Sequence, residues 1–145
     1  MKNETAEFAI PFVDAVLGKK TEGVTVLDVS GLTSVADIFI IGSGRSSRQV
    51  KAIAEYVKRN LRDKGKKPLS IDGENEGNWV LIDYGDVVIH LFQESTRRFY
   101  DLEGLWMDAP RILKEYIDKK RSETVYADDE DDDFWSNEED EYEEY

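Results

Sequence analysis

Two apolar runs, 79–83 and 86–92, flank the dipeptide Tyr84-Gly85, and this arrangement constrains the fold more than any other feature of the chain. Alternating apolar strands around a Gly-containing dipeptide read as a β-hairpin. A loop made of Tyr84-Gly85 predicts that Asp83 pairs with Asp86, Ile82 with Val87, Leu81 with Val88, Val80 with Ile89 and Trp79 with His90. Side chains of a strand alternate between faces. One face therefore carries Val80, Ile82, Val87, Ile89 and Leu91, is wholly aliphatic, and belongs on a core. The other carries Trp79, Leu81, Asp83, Asp86, Val88, His90 and Phe92. If helices cover only the first face, the second is an aromatic anchor inside a carboxylate rim, which is the composition of a protein-binding surface. If a helix covers it as well, His90 is a satisfied core residue. The pattern alone leaves both readings open.

The rest of the chain supplies helices for such a sheet. Phe8, Phe12, Ala15 and Val16 predict a helix over 4–19, with its regular part starting at Pro11. Val24–Val29 and Ala36–Ile41 read as strands, the second apolar on both faces apart from Asp37 and so central in its sheet. Ser46 or Ser47 caps a helix whose stripe is Val50, Ile53, Ala54, Val57 and Leu61, with Gly65 as its C-terminal cap. Residues 69–71 form a short strand. Residues 96–105 turn helical with Phe99, Leu102 and Leu105 or Trp106 inward, and Asp108 caps a last helix that has Pro110 in its first turn. The expected order is α-β-β-α-β-β-β-α-α, an α/β fold with a mixed sheet of four or five strands and helices mainly on one face.

Charge divides the chain in two. Of 32 acidic and 19 basic residues, 12 acids and no base lie from Tyr126 onward, so residues 1–125 carry 20 acids against 19 bases, a net charge of -1. A folded domain over 1–122 and an acidic, disordered tail over 123–145 are expected. The absence of cysteine excludes disulfides, zinc ribbons and thiol nucleophiles, and a single histidine excludes a multi-histidine metal site. The longest apolar run, Ile38–Ile41, falls far short of the ~20 residues that span a bilayer, and Met1–Glu4 does not begin a secretory signal. A cytoplasmic protein that binds neither membranes nor DNA is the expectation.

Three clusters offer chemistry. Gly42-Ser43-Gly44, between a strand and a helix, could cradle a phosphate, as the Gly-Ser pair of some nucleotidyltransferases does. That chemistry needs carboxylates converging on magnesium, and residues 45–54 contain no acid. Asp83 and Asp86 could form an acid–base pair, but Asp is common beside turns. Lys64, Lys66 and Lys67, with Arg45 and Arg48, could touch RNA phosphates, although no aromatic RNA-binding signature accompanies them.

Three segments carry a resemblance. Ala36-Asp37-Ile38-Phe39-Ile40-Ile41-Gly42-Ser43-Gly44 followed by Ser47–Ala54, the stretch Gly77–Phe92, and Arg98-Phe99-Tyr100-Asp101-Leu102-Glu103-Gly104-Leu105-Trp106 together resemble the ribosome silencing factor (Iojap) family over roughly residues 5–115. The resemblance implies a nucleotidyltransferase-like α/β fold without enzymatic activity or cofactor. It implies binding to the large ribosomal subunit at universal large-subunit protein fourteen, which prevents small-subunit joining and represses translation when nutrients are short. A homodimer of the free protein is implied as well. By this analogy the contact uses Trp79, Leu81, Asp83, Asp86, Val88, His90 and Phe92, with Arg98, Tyr100, Asp101 and Trp106 nearby. The acidic tail departs from the family pattern. Against this stand two alternatives, a nucleotidyltransferase-like nucleotide-binding enzyme and a small RNA-binding protein.

Overall fold

The computed structural model of the chain describes residues 2–123, so the expected tail lies outside the described residues apart from Glu123. The elements are α1 (Lys2–Leu17), β1 (Glu22–Asp28), β2 (Ile38–Gly44), α2 (Ser47–Asp63), β3 (Ser70–Asp72), β4 (Trp79–Asp83), β5 (Val87–Gln93), α3 (Glu94–Tyr100), α4 (Leu102–Leu105), β6 (Arg111–Ile112) and α5 (Lys114–Glu123). They build an α/β fold around one six-stranded sheet of order β3-β4-β5-β2-β1-β6. The sheet is mixed, since β2 and β5 run parallel and the other neighbours antiparallel. The entirely buried β2 lies between β5 and β1, as its two apolar faces require.

The expected four or five strands become six because of β6. It has only two residues, paired through Val26↔Ile112 and Leu27↔Arg111. Two residues are too few to show an alternation. The helix expected to start beside Pro110 therefore starts at Lys114, after Leu113 has taken a left-handed turn at φ 62°. At the other end, α1 runs through Pro11 instead of starting there. Ala9, Phe12, Val13, Val16 and Leu17 are all buried, and the packing of this face outweighs the hydrogen bond that proline withholds.

The hairpin differs from expectation in register. Asp83 pairs with Val88, Leu81 with His90, Val80 with Leu91 and Trp79 with Phe92. The loop is Gly85-Asp86, closed by the Tyr84 amide on the Val87 carbonyl at 2.9 Å. Turn chemistry explains the slip. Gly85 has φ +93° and occupies the first loop position, where a type II′ turn wants glycine. A Tyr84-Gly85 loop would put tyrosine there. The shift is two residues, an even number, so every side chain keeps its face.

Ile38, Ile40, Val80, Ile82, Val87, Ile89 and Leu91 pack with α1, α2 and Ile117 of α5 into the larger core. Helix α2 seats it. The Ser46 side chain accepts from the Gln49 amide at 3.2 Å, and the stripe from Val50 to Leu61 is buried throughout. The helix ends in a Schellman motif, with Lys66 N–H on the Leu61 carbonyl at 2.8 Å and Gly65 N–H on the Arg62 carbonyl at 2.9 Å. Helices do not sit on this face alone. Leu27, Val29, Ala36, Phe39, Ile41, Val88 and Phe92 form a second cluster on the opposite face, beneath Leu102 of α4 and Ala109.

Candidate functional site: a half-covered aromatic face

On that second face the side chains form a chain of rings. Trp79 stacks on Phe92 at a centroid distance of 4.7 Å and meets Tyr100 at 5.0 Å. Tyr100 meets Phe99 at 5.1 Å. His90 contacts Phe39 edge-on at 4.9 Å, and Phe39 contacts Trp106 at 5.2 Å. Trp79 is diagonal to His90 rather than opposite it, and its indole Nε1–H donates to His90 Nδ1 at 3.2 Å. That bond leaves the neutral imidazole proton on Nε2, which is buried without a partner among the described residues. His90 is only 4% exposed. Burial pulls its pKa down to about 4.

The face is neither open nor closed. Val88, His90 and Phe92 are buried, so they support the surface from beneath. Trp79, Leu81 and Trp106 are half-buried. The segment 99–107 also carries outward groups: Phe99 at 80%, Leu105 at 76%, Met107 at 78% and Tyr100 at 49% exposure. An open groove of about 600 Å³ runs between Trp79, Phe99 and Tyr100, with Glu76, Asn78 and Thr96 on its walls.

Phe99 and one of Leu105 and Trp106 are expected inward; Trp106 is half-buried, but Phe99 and Leu105 do not point in. They face out because the helical stretch breaks at Asp101, which takes a left-handed φ of 49° and starts α4 by accepting from the Gly104 amide at 3.1 Å. Gly104 is required there, since a Cβ would lie 2.2 Å from Asp101 Oδ2. The break turns Leu102 inward and Leu105 outward. The D-x-x-G spacing of Asp101 and Gly104 was the sequence signal for it.

A part-buried ion pair holds this covering segment down. Arg97 of α3 donates to Glu103 at 2.6 Å, to the Gly23 carbonyl at 2.7 Å and to Ser43 Oγ at 3.1 Å. Burial alone would raise the Glu103 carboxyl, but the hydrogen bond and charge of Arg97 outweigh it and keep the pKa below the ordinary value. Gly23 makes room, having φ +57° and a position where a Cβ would come within 2.9 Å of Arg97 Nη1. No sequence pattern joins Arg97 to the irregular start of β1, more than 70 residues earlier.

The other expected site residues stand apart from the ring chain. Asp83 accepts from the Gly85 amide at 2.7 Å, which makes it a turn residue. Asp86 is exposed in the loop, and its carbonyl receives the Asp37 and Ile38 amides. Arg98 is exposed and pairs with Glu94 at 3.1 Å. Asp101 caps α4. Gly42-Ser43-Gly44 is the buried end of β2 rather than a turn after it, paired with Leu91, Phe92 and Gln93 of β5, and the Ser43 hydroxyl is engaged by Arg97 and by the Glu22 carbonyl. Among the described residues no group of three or more acidic or histidine side chains is placed to hold a metal, and no helix is long and apolar enough to cross a membrane.

The fold is thus an α/β domain whose sheet has one sealed face and one face half-covered by aromatic and apolar side chains. The family described as "Ribosomal silencing factor during starvation" matches residues 2–141. Ribosomal silencing factor RsfS of Halalkalibacterium halodurans is 43% identical over 105 residues, covering 72% of this chain and 90% of that protein. A mouse protein named "Mitochondrial assembly of ribosomal large subunit protein 1" is 31% identical over 105 residues, covering 70% of this chain and 46% of its own length. A crystal structure of a Chromobacterium violaceum protein superposes with a TM-score of 0.67 at 38% identity, covering 70% of this chain and 84% of the other. The chain belongs to the ribosomal silencing factor (Iojap) family of non-enzymatic ribosome-binding factors.

Proposed function

We propose that this chain binds the large ribosomal subunit through its half-covered aromatic face, contacts universal large-subunit protein fourteen there, and so blocks joining of the small subunit. One observation carries the reading: the exposed Phe99 and Tyr100 share an open groove with Trp79, and Leu105 and Met107 of the same covering segment are exposed as well. Exposed apolar side chains around a half-buried aromatic anchor are what a partner's surface can desolvate. Family membership supplies the ribosome, and the name of the mouse relative points to its large subunit. A protein seated on the joining surface acts by occupying space, so repression requires affinity and no turnover.

The test is co-sedimentation of the tagged full chain with purified large subunits, followed by addition of small subunits. Large subunits carrying the chain are expected to stay unjoined. Joining at the normal rate by subunits that carry the protein contradicts the steric reading, and failure to co-sediment contradicts the binding. The free chain is expected to elute as a homodimer in gel filtration.

A further inference from the structure

The strongest charged feature of the fold lies outside the aromatic face. From Arg45 to Pro68, through α2 and the loop after it, nine basic residues stand against two acidic ones, a net +7 in a part of the chain (residues 1–125) whose total is -1. Lys58 is engaged by Glu55 and Glu74. Arg62, Lys64 and Lys67 are exposed, and Lys51 and Lys66 half-exposed. The ribosomal reading does not use this surface. The strongest charge of opposite sign in the chain is its own segment 124–145, with 12 acids and no base.

We propose that residues 124–145 dock on the basic face of α2 and the loop 64–68 of the same chain. Three observations support it besides charge. First, α5 delivers the segment to the right place. Near its end Arg121 donates to the Thr21 carbonyl, and the next residue, Glu22, pairs with Arg45 at 3.7 Å, just ahead of α2. The end of α5 thus reaches the residue that precedes β1, whose neighbour Glu22 pairs with Arg45 two positions ahead of α2. Second, the reach suffices. The 17 residues of α2 span about 25 Å, and 22 extended residues span at most about 70 Å. Third, tethering gives a millimolar effective concentration, which an untethered polyanion must exceed. The segment then stands in for nucleic-acid phosphates on this face and suppresses sequence-independent RNA binding. Partner choice is left to the aromatic face. The inference does not depend on the ribosomal reading, and its test contains no ribosome.

Zero-length carbodiimide cross-linking of the full chain, read by peptide mapping of the monomer band, joins only carboxylates and lysines already in contact. Links from acids in 128–144 to Lys51, Lys64, Lys66 or Lys67 are expected at 50 mM salt. They should vanish at 1 M salt, where screening shortens to about 3 Å. Links to Lys51, whose amine is retained, should also weaken in the variant Lys64→Glu, Lys66→Glu, Lys67→Glu, which reverses the charge of the loop. A 20-nucleotide oligouridylate serves as competitor. Neutralising the segment with Asp128→Asn, Asp129→Asn, Glu130→Gln, Asp131→Asn, Asp132→Asn and Asp133→Asn is expected to raise its affinity about tenfold at 50 mM salt. Absence of the cross-links in the full chain at low salt overturns the proposal. So does oligouridylate binding by the unmodified chain as tight as that of the neutralised variant, which would make the face an open RNA surface.

Discussion

The two faces of the sheet are cut from the same strands, residue by residue in alternation, yet they are finished differently. Under α1, α2 and α5 the side chains are aliphatic and buried, with Val80, Ile82, Ile89 and Leu91 all at 0% exposure. Under α3 and α4 aliphatic side chains are mixed with the rings of Phe39, Trp79, His90 and Phe92, and the cover is short. Helix α4 has four residues and contributes one buried side chain, Leu102. The sealed face shows what holding this fold requires. The other spends part of its apolar surface on groups that stay outside. A side chain on the sealed face is expected to act on stability, and an outward one on the ring face on binding.

The sharpest way to break that contrast is Ile82→Glu. It puts a carboxylate at the centre of the larger core with no partner. The cost exceeds about 5 kcal/mol, the lower end of ordinary domain stability, so the domain is expected to unfold. Circular dichroism should show loss of cooperative melting. A folded Ile82→Glu protein would mean that the sealed face tolerates water.

The next largest effect concerns pH. The unfolded chain holds His90 at a pKa near 6.5 and the folded chain at about 4. Between these values the unfolded state takes up a proton that the folded state refuses. The stability is fully present above pH 6.5 and declines as pH falls toward 4, by about 3 kcal/mol in total. Protonation of Nδ1 also breaks the bond from Trp79. Denaturant titrations from pH 7 to 4 should show this decline in the unmodified chain and a shallower one in His90→Gln, the difference isolating the imidazole from carboxylates titrating in the same range. Equal slopes would place His90 in contact with water.

Arg97→Ala comes third, at about 3 kcal/mol or less, because it strands the Glu103 carboxylate. The loss should be local. Hydrogen exchange is expected to quicken in α3 and α4 while α2 amides stay protected, and large-subunit binding should weaken with the loosened cover. Uniform exchange across both faces would show that the clamp belongs to the global fold.

How much of this was legible depended on the range of the interactions. The assignment of hairpin residues to faces was readable because strand alternation survives any even slip of register, and the slip here was two. The register itself was not, since it rested on whether Gly85 takes the first or second loop position. Helix α2 was readable from cap to Schellman glycine because all its signals are local. Strand β6 and the contacts of Arg97 with Gly23 and Ser43 were not, because both depend on residues more than 50 positions away. The outward turn of Phe99 and Leu105 lies between these cases. Its cause, the Asp101 cap, is local, but a continuous helical period through 96–105 conceals it.

The smallest expected effect on stability gives the most direct test of the central claim, that the half-covered face is the ribosome-binding surface. The double variant Leu105→Glu, Met107→Glu alters two side chains that are mostly solvent already, so its stability should match the unmodified chain within ~0.5 kcal/mol. Its affinity for purified large subunits should fall thirtyfold or more, the scale of about 2 kcal/mol from desolvating charge at an apolar contact. Equilibrium binding of both proteins to large subunits at one salt concentration, with melting curves alongside, makes the measurement. Unchanged melting with lost binding is the predicted result, and unchanged melting with normal binding would contradict it.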